Sequence, residues 1–338
     1  MIKVDIFSGF LGAGKTTLIK KLVEEAYKGE KIVLIENEFG EIGIDGGFLK
    51  DSGIQINEMN SGCICCSLVG DFGRALTQVT EQFSPDRILI EPSGVGKLSD
   101  IIEAVRNLHI DGVQLNGFTT VVDAKKAKIY MKNFGEFFNN QIEHASSIIL
   151  SHTAGMTREK LDRTVELIRE HNPNAVLITT QWDKLSGRQI LDAMERKDTI
   201  EEALRHLQTE HCEHDHDHDH CGCGHDHHDH DHHHDHDHDH DHHHHHADEI
   251  FDSIGVETAR RFTAEAIHNA LEALGSEEKY GMVLRAKGIV EGEDGQWIHF
   301  DYVPGEPDVR TGAAEVTGRL CVIGHEIKED KIRELFGI

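Results

Sequence analysis

Ile2-Lys3-Val4-Asp5-Ile6-Phe7-Ser8-Gly9-Phe10-Leu11-Gly12-Ala13-Gly14-Lys15-Thr16-Thr17-Leu18-Ile19 is the stretch that decides the fold. Residues 9–16 fit Gly-x-x-x-x-Gly-Lys-Ser/Thr, an apolar run precedes them, and the stripe Leu18, Ile19, Leu22, Val23 follows at helical spacing. A strand, a glycine-rich turn and a helix in that order point backbone N–H groups at phosphate oxygens, and the helix adds its positive N-terminal end. On this reading Gly9, Gly12, Ala13, Gly14, Lys15, Thr16 and Thr17 cradle a nucleotide. Lys15 reaches the β- and γ-phosphates, the Thr16 hydroxyl ligates Mg2+, and Thr17 contacts a neighbouring phosphate.

Working outward, IKVDIF, KIVLIE, RILIEP, FTTVVDA, SIILS and AVLIT alternate with amphipathic windows such as TTLIKKLVEEAYK and TREKLDRTVELIREH. Repeated strand-helix units predict an α/β P-loop NTPase domain over residues 1–208, with a mostly parallel sheet and helices on both faces. Residues 250–338 read differently: a helix in TAEAIHNALEAL, strands in GMVLRAKGIV, QWIHFDYV and GRLCVIG, and a short helix in KEDKIRELF. That pattern predicts a small α+β domain with an antiparallel sheet. Between them, residues 211–246 hold 20 His, 10 Asp, one Glu and no Lys or Arg. This tract has nothing to bury, so residues 209–249 are expected to be a disordered linker.

Much of the charge is local to that linker. The whole chain of 338 residues carries 34 basic against 61 acidic side chains, a net charge of -27; without residues 211–246 the balance is 34 against 50, or -16. Acidity of this size excludes a phosphate-backbone partner, so no nucleic acid is expected, and cations are the favoured partners. No stretch approaches the roughly 18 apolar residues of a membrane span, and MIKVDIFSGF lacks the apolar core of a signal peptide, which predicts a cytoplasmic chain without a membrane partner. Seven cysteines in such a compartment read as metal ligands or buried groups rather than disulfides.

A γ-phosphate needs sensors at the carboxyl edge of the sheet, and Glu91-Pro92-Ser93-Gly94 ends the strand RILI there. Glu91 is placed to hold Mg2+ or its water, and the Gly94 amide to follow the γ-phosphate; with Lys15 these are the catalytic candidates. Asp123 ends FTTVVD in a comparable place, with nucleotide contact and structural capping equally open. Gly62-Cys63-Ile64-Cys65-Cys66 puts three thiols within four residues. An extended segment pairs Cys63 with Cys65 and a helical one pairs Cys63 with Cys66; either pair suits zinc or another thiophilic divalent ion. Cys321 lies inside an apolar strand and reads as core.

GFLGAGKTTL, ENEFGEIGID, GCICC, IEPSG and TVVDA, in this order, resemble the CobW-like family of P-loop GTPases, regarded as metal chaperones or metal insertases, and RAKG with RLCVIG resembles that family's small second domain. The resemblance covers both domains but not the histidine tract. It implies GTP hydrolysis by a G domain whose Cys-x-Cys-Cys motif, Cys63, Cys65 and Cys66, carries a transition metal to a client protein. The segment 36–41 matches the family's mobile switch-like stretch, with Glu36 and Glu41 as oxygen ligands or metal relays. One departure matters: where the family places Asn-Lys-x-Asp to recognise guanine, this chain has Ser151-His152-Thr153-Ala154, and Ala154 offers no carboxylate to guanine N1–H and N2–H. GTP is the expected nucleotide from the family, with ATP open.

Neutral imidazole binds zinc, nickel, cobalt and copper, so His214, His216, His218, His220 and His225, with Cys221, Cys223 and Cys212, are candidate metal ligands within the tract. Zn2+ is the favoured ion, with Co2+ or Ni2+ open. Three functions compete: a GTP-hydrolysing metallochaperone, which the cysteine motif favours; a metal storage protein with a vestigial nucleotide domain; and an ATP-dependent small-molecule kinase. The identity of the client and the existence of a homodimer stay open at this level.

Overall fold

The computed structural model describes residues 1–37, 55–59, 69–108, 110–196, 250–315 and 317–338. The first domain carries β1 (Ile2–Ser8), α1 (Lys15–Glu25), β2 (Ile32–Asn37), β3 (Gln55–Met59), α2 (Val69–Phe83), β4 (Arg87–Glu91), α3 (Leu98–Asn107), β5 (Val113–Asp123), α4 (Ala127–Asn133), α5 (Gly135–Glu143), β6 (Ser147–Ser151), α6 (Arg158–His171), β7 (Val176–Ile178) and α7 (Gly187–Met194). Its seven strands run β3-β2-β4-β1-β5-β6-β7 and every pair is parallel. β4 and β6 are buried at every position, which is why they read as unbroken apolar runs: helices cover both faces and leave no polar side. One layer of core holds Val4, Ile6, Ile88 and Ile90, and the opposite layer holds Phe7, Leu34, Leu89 and Val121 under α1 and α7.

The helices begin where the chain supplies caps. The Thr157 hydroxyl accepts from the Lys160 N–H, and Ser186 with Gln189 forms a capping box at α7, each satisfying donors that a helix start leaves without partners. At the amino ends of the strands, opposite the phosphate loop, the buried Arg87 guanidinium binds Asp5, Glu30 (2.7 Å) and Glu195 (2.9 Å). Asn116 donates to Asp5 (2.8 Å) and Glu195 (3.0 Å), closing the network.

The second domain is a five-stranded antiparallel sheet in the order β11-β10-β9-β12-β8, from β8 (Asp252–Thr258), β9 (Met282–Glu291), β10 (Trp297–Val303), β11 (Glu306–Gly312) and β12 (Gly318–His325). Helices α8 (Ala264–Ala273), α9 (Glu277–Tyr280) and α10 (Glu329–Phe336) cover one face, where Ile267, Leu271, Phe300, Tyr302 and Phe336 form the core. The expected helices and three strands are all present. The two edge strands, β8 and β11, are additional: β8 buries one residue and β11 none, and both carry few apolar residues, so neither has the apolar side that marks a strand in sequence. The boundary expected near 208–250 and the histidine tract lie outside the described residues.

The two domains share a core. Phe10, inside the phosphate loop, packs against Tyr130 (4.7 Å between ring centroids), Phe134 (5.4 Å), Phe138 (5.7 Å) and Phe251 (6.1 Å), and Phe251 leads into the second domain. Leu284, Ile289, Cys321 and Ile323 belong to the same apolar cluster. Cys321, 2% exposed, is therefore a core residue, as its strand context predicts.

Candidate functional site

The phosphate loop leaves β1 and enters α1 at Lys15. Gly12 sits at φ +69°, a left-handed conformation that disfavours side chains, and a Cβ there would overlap Val303 of the second domain. The Lys15 side chain is buried, its Nζ donating to the Gly9 carbonyl at 2.9 Å and the Phe10 carbonyl at 3.5 Å, so the ammonium is stationed on the loop. The Thr16 hydroxyl donates to the Glu91 carboxylate, 3.0 Å from one oxygen and 3.2 Å from the other. A hydroxyl and a carboxylate meeting beside a phosphate cradle are hard oxygen donors, the set that suits Mg2+. Thr16, read from sequence as a Mg2+ ligand, and Glu91, read as holding Mg2+ or its water, thus stand within hydrogen-bonding distance of each other.

Glu91 ends β4 and Glu36 lies beside it, in register on β2; both are buried. Gly94 follows at the same edge and lies so close to the phosphate loop that a Cβ would stand 2.9 Å from the Leu11 backbone nitrogen. The turn is held from below by Gln141 of α5, fully buried, whose amide donates to the carbonyls of Gly94 (3.0 Å) and Gly96 (2.8 Å). Gln141 was not legible in the sequence: a lone glutamine in an amphipathic helix carries no motif. The Asp123 carboxylate accepts from the Lys125 N–H at 2.9 Å and caps the turn after β5.

Lys15, Thr16, Thr17, Lys20 and Glu91 open into a cleft of about 510 Å³ whose other wall is the second domain. That wall supplies Arg285, Asp301, Val303, Glu306, Asp308 and Arg310. At the end of β6, His152 adopts φ +55°, and its Nδ1 lies 3.4 Å from the Glu306 carboxylate across the cleft. Nearby, the Trp182 indole donates to the Leu150 carbonyl (3.0 Å) and approaches Gly14. Burial first, then the Asp123 and Glu306 carboxylates, push the Tyr130 phenol above its ordinary pKa, so it stays neutral behind Phe10. The alternation His299, Asp301, Val303 and Glu306, Asp308, Arg310 is the signal that places charge on this wall.

Cys63, Cys65, Cys66 and Glu41, and His214, His216, His218, His220, Cys221, Cys223 and His225, lie outside the described residues. Among the described residues no helix is long and apolar enough to cross a membrane.

Residues 3–179 match the family described as CobW/HypB/UreG, nucleotide-binding domain, and residues 251–337 match the cobalamin synthesis protein cobW C-terminal domain. The chain is 30% identical over 197 residues to the zinc chaperone YeiR of Escherichia coli, covering 58% of this chain and 60% of that protein. It is 41% identical over 131 residues to the zinc chaperone CobW of a Sinorhizobium species, covering 36% of this chain and 37% of that one. It is 31% identical over 202 residues to the zinc-regulated GTPase metalloprotein activator 1 of Schizosaccharomyces pombe, covering 56% and 49%. The matched regions thus span between 37% and 60% of these relatives' own lengths. With a phosphate loop closed by a second domain of the matching type, the chain belongs to the CobW/HypB/UreG family.

Proposed function

We propose that this chain is a GTP-hydrolysing metallochaperone, carrying zinc in preference to cobalt or nickel and handing it to a client protein. The observation that carries the nucleotide half is the Thr16 hydroxyl 3.0 Å from the Glu91 carboxylate beside the buried Lys15 ammonium. The names of the relatives, zinc chaperones and a zinc-regulated GTPase metalloprotein activator, support the metal half, together with Cys63, Cys65 and Cys66.

Lys15 and the N-terminal end of α1 hold the β- and γ-phosphates, and Gly94, fixed through Gln141, presents its amide to the terminal one. Thr16 and Glu91 hold Mg2+, which when bound neutralises the charge on the phosphates. The Cys63–Cys66 motif takes the cargo ion, and Glu36, beside Glu91 on the neighbouring strand, serves as an oxygen ligand or metal relay. The histidine tract collects metal at many exchangeable positions and gives it up as imidazoles protonate below about pH 6.5. Ser151-His152-Thr153-Ala154 lacks the carboxylate that reads guanine, so the preference for GTP over ATP falls well below the roughly 10⁴-fold of a site built to hydrogen-bond its ligand.

The test is hydrolysis of GTP and of ATP by the full chain, with zinc stoichiometry measured alongside. Lys15→Ala is expected to abolish phosphate release and leave zinc binding intact. The triple variant Cys63→Ser, Cys65→Ser, Cys66→Ser is expected to lose one tightly bound zinc. Unchanged zinc affinity and stoichiometry in the triple variant would remove the cysteine motif from the reading, and a phosphorylated small molecule in place of free phosphate would replace it with a kinase.

A further inference from the structure

The second domain's sheet has an unusual outer face. Along β10, Ile298, Phe300 and Tyr302 turn into the domain's own core, so the alternate residues His299, Asp301 and Val303 turn the other way. Across the hairpin, Glu306 pairs with Val303, Asp308 with Asp301 and Arg310 with His299, which puts all three on that same face. Arg285 of β9 joins them. This face does not meet solvent alone: Val303 is seated on Gly12, and its charged neighbours form the wall of the phosphate cleft.

Both arginines on this wall are held by carboxylates of the same sheet. Arg285 donates to Asp301 at 3.1 Å, its side chain 16% exposed; Arg310 donates to Asp308, two residues away on the edge strand, with both side chains substantially exposed. An exposed pair of that kind is worth little, so exchanging its partner costs little. A nucleoside triphosphate at the loop would set several negative charges beside Arg310 and beside Asp308, attracting the first and repelling the second.

We infer that the second domain completes the phosphate site in cis: Arg310, released from Asp308, binds the phosphate chain of the nucleotide held by Lys15 and Thr16, with Arg285 behind it. The nucleotide thereby ties β11 to the phosphate loop, and the state of the first domain is transmitted to the second through one guanidinium. The inference rests on the nucleotide reading above and adds to it a residue outside the G domain.

The experiment measures GTP and GDP affinity for the full chain by titration, in wild type, Arg310→Ala, Arg310→Lys and Asp308→Asn. A charge-assisted hydrogen bond predicts that Arg310→Ala weakens GTP about tenfold, with Arg310→Lys between the two. Asp308→Asn, which removes the competitor, is expected to tighten GTP severalfold. Opposite shifts from two neighbours on one edge strand have no origin in misfolding. Amide exchange provides a second readout: GTP slows exchange across 306–312 in wild type and not in Arg310→Ala. Affinities within twofold of wild type in both Arg310→Ala and Asp308→Asn, with wild type binding GTP in a Lys15-dependent way, would overturn this inference and leave the proposed function standing. Absence of Lys15-dependent binding of any nucleotide by wild type would overturn both.

Discussion

Gln141 shows how one side chain can govern a loop it never joins. Its amide serves the carbonyls of Gly94 and Gly96 from a fully buried position, so Gln141→Leu would strand two acceptors at about 1–3 kcal/mol each. The expected outcome is a lower melting temperature and a kcat for GTP hydrolysis that falls more than KM rises, read by steady-state kinetics. Gly12 gives a sharper case. Gly12→Ala adds left-handed strain of roughly 1–2 kcal/mol and an overlap with Val303, and is expected to weaken nucleotide binding; Val303→Ala in the same chain should restore the steric part and not the backbone part. At this scale the sequence was informative where chemistry demands a motif, as at Lys15, Thr16 and Glu91. It was silent where a residue acts through burial, as with Gln141, or across domains, as with Arg310.

At the scale of elements, the strand ends divide the labour. The carboxyl ends of β1, β4 and β6 carry the cleft, while the amino ends are fastened by Arg87. Burial disfavours the charge on Arg87, but Asp5 beside it and the carboxylates of Glu30 and Glu195 hold it protonated at every attainable pH. Replacing Arg87 by Met would leave the Asp5 carboxylate buried without its cation, a loss of about 3–5 kcal/mol that urea unfolding would detect. Burial also opposes ionisation of Glu195, yet hydrogen bonds from Lys3, Arg87 and Asn116 outweigh it and set its pKa at about 2, below the ordinary 4.5. A lowered carboxyl stabilises the fold above the unfolded value and loses that contribution as pH falls through the folded one. The melting-temperature gap between wild type and Glu195→Gln is therefore expected to be constant above pH 4.5 and to shrink toward pH 2. β4 and β6 were legible because burial on both faces writes them as apolar runs, whereas the parallel edge strand β3, QINEM, was not among the runs read from sequence. β8 and β11 were not, because an edge strand turned toward solvent or toward a charged cleft has no apolar side to declare it.

Over the whole molecule, the phosphate loop is built into the junction between domains. Phe10 is at once a loop residue and the centre of the aromatic cluster that joins α4 and α5 to Phe251, so Phe10→Ala is expected to cost about 3–5 kcal/mol and to weaken nucleotide binding together with stability. Such a junction can carry a signal outward from the nucleotide, and the proposed function requires that one end of the signal be metal affinity. Linkage makes that coupling reciprocal: a nucleotide that changes zinc affinity by some factor has its own affinity changed by zinc by the same factor. The direct measurement is the zinc dissociation constant of the full chain without nucleotide, with a non-hydrolysable GTP analogue and with GDP. The account predicts different constants for the analogue and GDP states, with the difference lost in the Cys63, Cys65, Cys66 triple serine variant; identical constants in all three states of wild type would contradict it.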